Sequence, residues 1–162
     1  MKRTTKRVSR RTFAAGGFGA FAALGLSRLA FGQGATVQGK SVSPDVEKAN
    51  IAVVNDFCAA FDRRDLSGAM SLLADNCVYR VTQTRPPLVG KDKIAETVKG
   101  FMDRVVAFKV LKTVALGPLV VNERDDVFGA ASNQPARTFH VAAGVFFVEN
   151  GKIVEWTDYV LQ

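Results

Sequence analysis

The sequence contains few of the residues that bind metals through nitrogen or sulfur: two cysteines, Cys58 and Cys77, and one histidine, His140, in 162 residues. No spacing typical of a Cys/His metal site is present, so we expect neither a metal nor a cofactor. Pairing of two cysteines cannot be inferred from their spacing, and we favour two buried free thiols over a disulfide. His140 lies in a strand-like segment, where we expect a hydrogen-bonded structural role.

Acidic residues are absent from the first 32 positions, which instead contain seven basic side chains: Lys2, Arg3, Lys6, Arg7, Arg10, Arg11 and Arg28. Subtracting these seven from the 22 Lys and Arg of the chain leaves 15, which equals the 15 Asp and Glu. The formal charge of +7 therefore belongs to the N-terminal segment. The neutral remainder has no electrostatic reason to bind polyanions, so we expect no nucleic-acid partner.

Residues 1–32 have the three parts of an export signal. A basic stretch ends in Ser9-Arg10-Arg11-Thr12-Phe13, and a weakly apolar run follows from Ala14 to Leu26. Ala30-Phe31-Gly32 then offers small residues for cleavage. Paired arginines before a phenylalanine, followed by a mild apolar run, are typical of twin-arginine signals. We therefore expect the twin-arginine export machinery to bind this segment and the protein to be periplasmic or extracellular.

The alternative interpretation of this segment is a membrane anchor. The apolar run is short for crossing about 30 Å of hydrocarbon, and it is rich in glycine. We therefore expect no stable membrane anchor after cleavage. Twin-arginine export moves proteins that have already folded. A homodimer is one folded form that would explain the use of this route.

The rest of the chain has the length of one ordinary domain. Hydrophobic residues make up 48% of the sequence, which is sufficient for a core. Residues 33–42 are small and polar, and we interpret them as a linker. The predicted organisation is therefore a signal peptide over 1–32, a linker over 33–42 and a single domain over 43–162.

Helical periodicity is prominent in the first half of this domain. Ser43-Pro44-Asp45 is typical of a helix start, and apolar residues at helical spacing extend the first helix to about Asp62. Asp65 would cap a short second helix, and a third is predicted from about Asp92 to Val105. A strand, Cys77 to Thr82, is predicted between the second and third helices.

Alternating patterns replace the helical period in the second half. The predicted strands are Phe108–Leu116, Leu119–Phe128, Phe139–Glu149 and Lys152–Leu161, the last two joined by the hairpin turn Asn150-Gly151. Helices followed by four antiparallel strands indicate an α+β fold. We expect a curved mixed or antiparallel sheet that forms a cone, with the N-terminal helices packed on its concave face.

Three of the predicted strands each place a set of side chains on the face that would line this concavity, because alternate residues of a strand share a side. By strand, the side chains are Tyr79, Val81 and Gln83; Asn122, Arg124, Asp126 and Phe128; Val154, Trp156, Asp158 and Val160. Among these, Arg124, Asp126, Asp158 and Tyr79 would converge in an otherwise apolar pocket.

The two aspartates would give such a pocket an unfavourable net negative charge if both were ionised beside Arg124. Burial and mutual repulsion oppose this, so we expect the pair to share one proton. One carboxylic acid and one carboxylate facing the same cavity can act as general acid and general base. The alternative is a buried ion-pair network that only fixes the register of the sheet, and the pattern alone does not decide between the two.

Two segments carry a family resemblance: Val121-Asn122-Glu123-Arg124-Asp125-Asp126-Val127 and Gly151-Lys152-Ile153-Val154-Glu155-Trp156-Thr157-Asp158-Tyr159. They resemble the signature strands of limonene-1,2-epoxide hydrolases, which belong to a superfamily of nuclear-transport-factor-like α+β cones. The likeness extends from Pro44 to Leu161. It implies one-step, metal-free addition of water to a small apolar epoxide, giving a vicinal diol.

The resemblance also implies a role for each polar residue. Asp158 would deprotonate the water, Asp126 would protonate the epoxide oxygen, Arg124 would orient both carboxyl groups, and Tyr79 would hold the water. The family has an asparagine two residues after this tyrosine as a third contact to the water, and this chain has Val81 there. The predicted substrate pocket around the four catalytic candidates consists of Val81, Gln83, Asn122, Phe128, Trp156, Phe101 and Met102.

Two functions other than epoxide hydrolysis remain open. The first is a non-catalytic carrier or sensor for a small apolar ligand, in which Val81 has removed the water site. The second is another pocket reaction of the superfamily, such as double-bond isomerisation of a ketosteroid. An arginine held between two aspartates argues against the second, because isomerisation needs an aspartate that is free to shuttle a proton.

Overall fold

The computed structural model describes residues 43–132 and 134–161. The predicted export signal, residues 1–32, and the predicted linker, residues 33–42, lie outside the described residues and stay predictions. Within the described ranges, no helix combines the length and the apolar character needed to cross a membrane.

Helix α1 (Pro44–Asp62) begins as predicted at Ser43, whose side chain accepts a hydrogen bond from the Asp45 N–H at 3.3 Å. Pro44 occupies the first turn, where a missing N–H costs nothing. One face of the helix is buried against the sheet and consists of Asn50, Val54, Phe57, Cys58, Ala60 and Phe61.

Helix α2 (Leu66–Ser71) begins after Asp65, whose carboxylate accepts from the Gly68 N–H at 2.8 Å, so the predicted cap is confirmed. Helix α3 (Lys91–Met102) ends three residues earlier than predicted. Val105 belongs to the next strand instead, where the β-branched side chain is buried and its backbone pairs with the sheet.

The six strands are β1 (Leu73–Arg80), β2 (Leu88–Val89), β3 (Val105–Leu116), β4 (Leu119–Phe128), β5 (Arg137–Glu149) and β6 (Lys152–Val160). They form one curved, unclosed mixed sheet in the order β2-β1-β6-β5-β4-β3. Every neighbouring pair is antiparallel except β1 and β6, which are parallel. The predicted α+β class and the curved sheet with packed helices are confirmed.

Strand β1 lies between α2 and α3 in the chain, as predicted, and is a full member of the sheet. Its bounds differ from the predicted Cys77 to Thr82. It begins four residues before the predicted Cys77 and ends at Arg80, so Val81 and Gln83 follow the strand rather than belong to it. The short strand β2 was not predicted, since two residues show no alternation. The partner of β1 is β6, far away in the chain, so no local turn marks their pairing.

The core lies between the concave face of the sheet and the helices, with α1 packed mainly against β3 and α3 against β1. Aromatic rings fill its centre: Phe57 lies edge-on to Trp156, with 4.9 Å between ring centroids, and Phe61 stacks on Phe108 at 4.4 Å.

On the opposite face of the sheet, His140 Nδ1 lies 2.9 Å from Asp125 Oδ1. This confirms the hydrogen-bonded histidine expected from the sequence.

Both cysteines are buried free thiols, as predicted. Cys58 lies on the buried face of α1, and Cys77 lies within β1 rather than at the entrance of a strand. Burial raises the pKa of the Cys58 thiol to about 11 and that of Cys77 to about 12. Neither sulfur is therefore a thiolate nucleophile near neutral pH.

Candidate active site

Strand β4 carries three buried polar side chains, Asn122, Arg124 and Asp126, on the face that meets the helices. Burial alternates along this strand because successive side chains point to opposite faces of a sheet. Arg124 has no exposed surface, which is rare for arginine and requires partners for its charge.

Arg124 contacts both aspartates. Its Nε donates to Asp126 Oδ1 at 2.8 Å, and its Nη2 donates to Oδ2 of the same carboxyl group at 3.3 Å. Nη2 also forms an ion pair with Asp158 Oδ1 at 2.8 Å, so the guanidinium extends from β4 over β5 to β6. The structure therefore brings together the arginine and the two aspartates predicted from the sequence.

Trp156 connects Asp158 to Tyr79. Its indole Nε1 donates to Asp158 Oδ1 at 2.7 Å, and its ring stacks on the Tyr79 ring with 3.7 Å between centroids. The parallel pairing of β1 with β6 sets Tyr79 directly opposite Trp156. Within the described part of the chain, the Tyr79 hydroxyl and Asp158 Oδ2 have no hydrogen-bond partner, and both residues line a cavity. Both groups are therefore free to contact a ligand or a water molecule.

The side of the guanidinium away from the cavity is held by neutral groups. Nη1 of Arg124 donates to Asn122 Oδ1 at 3.0 Å, and Asn122 Nδ2 donates to Cys58 Sγ at 3.4 Å. Gly144 of β5 lies beneath these groups: a Cβ added there would overlap Nη1 and lie 2.5 Å from Asn122 Oδ1. Gly144 was not among the predicted site residues, although a glycine inside a strand indicates a close approach.

Burial dominates the protonation of this cluster. It raises the pKa of Asp126 to about 6 against the opposing charge of Arg124, and it also raises the pKa of Asp158, against Arg124 and the Trp156 N–H. Burial opposes the charge of Arg124 too, but the two aspartates outweigh this and hold its pKa above the usual value. Burial keeps the pKa of Tyr79 well above 10, so its hydroxyl stays protonated. One mobile proton on the carboxyl pair is consistent with these directions.

The cavity has a volume of about 510 Å³, which suits a small organic molecule. Its walls are mainly apolar, and the two aspartates contribute its acidic groups. Five of the predicted pocket residues line it: Val81, Gln83, Phe101, Phe128 and Trp156. The described residues contain no group of three or more His, Cys, Asp and Glu arranged to hold a metal ion.

Two predicted pocket residues do not line the cavity. Met102 is in the core, because it lies on the same face of α3 as the buried Ile94 and Val98. Asn122 lies behind Arg124. Gln83 does line the cavity, but its side chain is engaged with the Val160 backbone, donating to the carbonyl at 3.3 Å and accepting from the N–H at 3.2 Å.

Several residues of the cavity wall were not predicted from the sequence. Phe108, Phe139 and Val141 lie on strands whose inward faces were not assigned to the pocket. Three arginines of the wall were not predicted either: Arg85, Arg104 and Arg137. Their long side chains reach the cavity from turns and a strand end, where the sequence has no periodicity.

Residues 48–161 match the family model described as the limonene-1,2-epoxide hydrolase catalytic domain. This chain belongs to the limonene-1,2-epoxide hydrolase family. The match includes β4 and β6, and with them the Arg124, Asp126 and Asp158 cluster. The family membership and the cavity together identify a pocket enzyme of this superfamily.

Solved structures of other proteins share the fold of this chain. An LEH-like epoxide hydrolase from Mycobacterium tuberculosis is 28% identical, with a TM-score of 0.61, covering 71% of this chain and 84% of that chain. A steroid delta-isomerase from Pseudomonas aeruginosa shares the fold, with 22% identity and a TM-score of 0.57, covering 74% of this chain and 85% of that chain. An NTF2-like protein of unknown function from Burkholderia pseudomallei also shares the fold, with 20% identity and a TM-score of 0.59, covering 70% of this chain and 91% of that chain.

Proposed function

We propose that this limonene-1,2-epoxide hydrolase family member adds water to a small epoxide with an apolar body and releases a vicinal diol. The observation that carries this proposal is the contact of one buried guanidinium, that of Arg124, with two carboxyl groups on the wall of an apolar cavity. Opening an epoxide needs a proton on its oxygen and a base for the attacking water. Asp126 and Asp158, sharing one proton, supply both.

Asp158 is the base in this proposal. Both N–H donors, from Arg124 and Trp156, bind its Oδ1 and favour the ionised form, which leaves Oδ2 to take the proton of a water molecule. Asp126 is the acid. Its Oδ1 keeps the short bond to Nε, while Oδ2 has only the 3.3 Å contact and carries the proton.

The step balances without any other reactant. The water oxygen forms a bond to one epoxide carbon, the bond from that carbon to the epoxide oxygen breaks, and Asp126 delivers its proton to the departing oxygen. Asp158 receives the proton of the water. The pair again holds one proton, now on Asp158, and exchange with solvent or with product returns it to Asp126. Arg124 keeps its charge throughout and offsets one carboxylate in either state.

Two substitutions test the assignment. Asp126→Asn and Asp158→Asn should each reduce diol formation by at least about a thousandfold, since each removes a proton-transfer group from the transition state. Circular dichroism and the melting temperature should show an intact fold. If both variants released diol at the parental rate, the proposal would be wrong.

Isotope labelling distinguishes direct attack by water from attack by a carboxylate. In a single turnover in water enriched in heavy oxygen, direct attack places the label in the diol. A covalent ester intermediate would place the label in Asp158 or Asp126 only after its hydrolysis, and the first diol would be unlabelled. Mass spectrometry of the diol and of the digested protein reads both outcomes.

A second candidate function is binding of an apolar ligand without turnover, and one observation favours it. Val81 lines the cavity beside Tyr79 and cannot hold a water molecule, and Gln83 is engaged with Val160 and does not replace it. Saturable quenching of the fluorescence of Trp156, the single tryptophan, without diol from a panel of epoxides would establish this function.

We also propose that residues 1–32 direct export of the folded protein by the twin-arginine route. The support is the paired arginines and the charge asymmetry of this segment. Replacing Arg10 and Arg11 by lysine should retain the full-length precursor in the cytoplasm of a bacterial host. Processing that continues in this variant would contradict the assignment.

A further inference from the structure

Three arginines line the cavity, whereas the buried Arg124 does not: Arg85, Arg104 and Arg137. They come from separate parts of the chain. Arg85 lies between β1 and β2, Arg104 follows α3, and Arg137 begins β5. Convergence of three cations on one apolar cavity calls for a physical explanation, because residues 33–162 as a whole carry equal numbers of basic and acidic side chains.

None of the three forms an ion pair with an acidic side chain among the described residues. The acidic groups of the cavity, Asp126 and Asp158, are bound to Arg124. The wall of the cavity therefore has three positive charges that no carboxylate of its own lining offsets.

Arg104 is fixed in place by neutral acceptors. Its Nε and Nη2 donate to the Gly129 carbonyl at 3.3 and 3.1 Å, its Nη2 donates to the Pro135 carbonyl at 3.4 Å, and its Nη1 contacts the Gln134 side chain. These bonds hold the segment that leads to Arg137 against the end of α3. Arg85 and Arg137 are exposed and make no such bonds among the described residues, so their guanidinium groups are free to meet a ligand.

We propose that the substrate is an amphipathic epoxide, with an apolar body against the aromatic wall and a terminal carboxylate bound by Arg85 and Arg137. The proposal rests on the hydrolase function proposed above. The planar guanidinium group matches a carboxylate in geometry and binds it through paired N–H donors. The carboxylate stays among the arginines, and the reactive ring reaches Asp126 and Asp158.

The test compares ω-epoxy fatty acids of increasing chain length with their methyl esters, which have the same apolar body without the charge. The acid should be preferred in kcat/KM by about tenfold or more, the size of one charge-assisted contact. Replacing Arg85 and Arg137 together by glutamine should reduce this preference towards unity, mainly through the KM of the acid. Arg63→Gln is the matched control, because Arg63 is exposed at the end of α1 and does not line the cavity.

Equal kcat/KM for acid and ester in the parental protein would overturn the proposal. It would also be overturned if the double variant lowered both values by the same factor, because the arginines would then support the fold rather than bind the carboxylate. Stronger inhibition by an alkyl phosphate than by the alkyl carboxylate of equal chain length would reject the carboxylate in favour of a phosphate.

A binding experiment separates failure of this proposal from failure of the hydrolase function. In the Asp158→Asn protein, decanoate should quench Trp156 fluorescence at lower concentration than methyl decanoate does, and the Arg85 and Arg137 substitutions should remove the difference. Preference for the anion in this variant, without turnover of any epoxide by the parental protein, would support the anion site and reject the hydrolase. Turnover of neutral epoxides by the parental protein, without preference for the anion, would support the hydrolase function and reject the anion site.

Discussion

The guanidinium of Arg124 crosses strand β5 directly over Gly144. In the sheet, Gly144 pairs with Asn122 on one side and with Asp158 on the other, so it lies midway along the path from β4 to β6. Any side chain at this position would occupy the space of the guanidinium. The contact between Arg124 and Asp158 therefore depends on a residue that has no functional group.

Gly144→Ala should move the guanidinium away from Asp158. The added methyl group overlaps Nη1 of Arg124, and overpacking of this kind costs about 1–3 kcal/mol. We expect kcat to fall by roughly ten- to a hundredfold while the fold is retained. Steady-state kinetics and thermal unfolding check both.

Gly100→Ala is the matched control for this substitution. Gly100 lies in α3, where an added methyl group would have nothing within 4 Å, and alanine favours a helix over glycine by about 1 kcal/mol. The control should unfold at the same or a slightly higher temperature, with unchanged kcat. Equal kinetics for both alanine variants would show that Gly144 has no positioning role.

Trp156→Phe should weaken the base. The change removes the N–H that donates to Asp158 at 2.7 Å but keeps an aromatic ring beside Tyr79. Loss of this donor raises the pKa of Asp158 further, so the acidic limb of the kcat profile should move to higher pH. At pH 6, kcat should fall on the order of tenfold. An unchanged acidic limb would show that the indole only packs.

Val81→Asn should increase the rate of hydrolysis. The asparagine would supply a third hydrogen bond to a water molecule held by Tyr79 and Asp158, because position 81 lies on the cavity wall. We expect kcat to rise by several-fold, up to about tenfold for one added hydrogen bond in the transition state.

The same substitution at Val89 serves as the control, since this exposed residue of β2 does not line the cavity. Val89→Asn should leave kcat at the parental value. A rate that does not rise in Val81→Asn, in a protein that still binds the product diol, would mean that this pocket holds its water by other groups.

Stability should depend on pH through Asp126. The pKa of this carboxyl is raised from 3.8 to about 6, so between these values the folded protein binds the proton and the unfolded chain releases it. The free energy of unfolding should therefore fall as the pH rises from about 4 to about 6. Above about pH 6 the acid is lost, and kcat/KM should decline as well.

Asp126→Asn should reduce this pH dependence, because an amide does not titrate. Urea unfolding between about pH 4 and about pH 7 measures the slope, and Asp56→Asn, on the exposed face of α1, is the matched control. A slope that is the same in the parental protein and in Asp126→Asn would place the titrating proton on another group.

The sequence predicted the polar site because the site follows strand periodicity. Asn122, Arg124 and Asp126 alternate on one strand, and Trp156 and Asp158 alternate on another, so a shared face follows from a period of two residues. The position of Met102 was predicted wrongly, because helical spacing identifies a buried face without indicating whether that face meets the core or the cavity.

The features that escaped prediction depend on contacts between distant parts of the chain. The parallel pairing of β1 with β6 joins the two ends of the domain and has no local turn signal. Gly144 matters only because an arginine from a neighbouring strand passes over it. Arg85, Arg104 and Arg137 follow no shared period, so only the folded chain shows that they meet at one cavity.

The connection between β4 and β5 divides the reacting groups between two pieces of the chain. The part of the chain up to β4 contains Tyr79, Arg124 and Asp126, and the part from β5 onwards contains Trp156 and Asp158. A protein cut in this connection would have the proposed proton donor, Asp126, on one fragment and the proposed proton acceptor, Asp158, on the other. Diol formation by the mixed fragments would then report directly on reassembly of the sheet, making this enzyme a candidate for a split reporter.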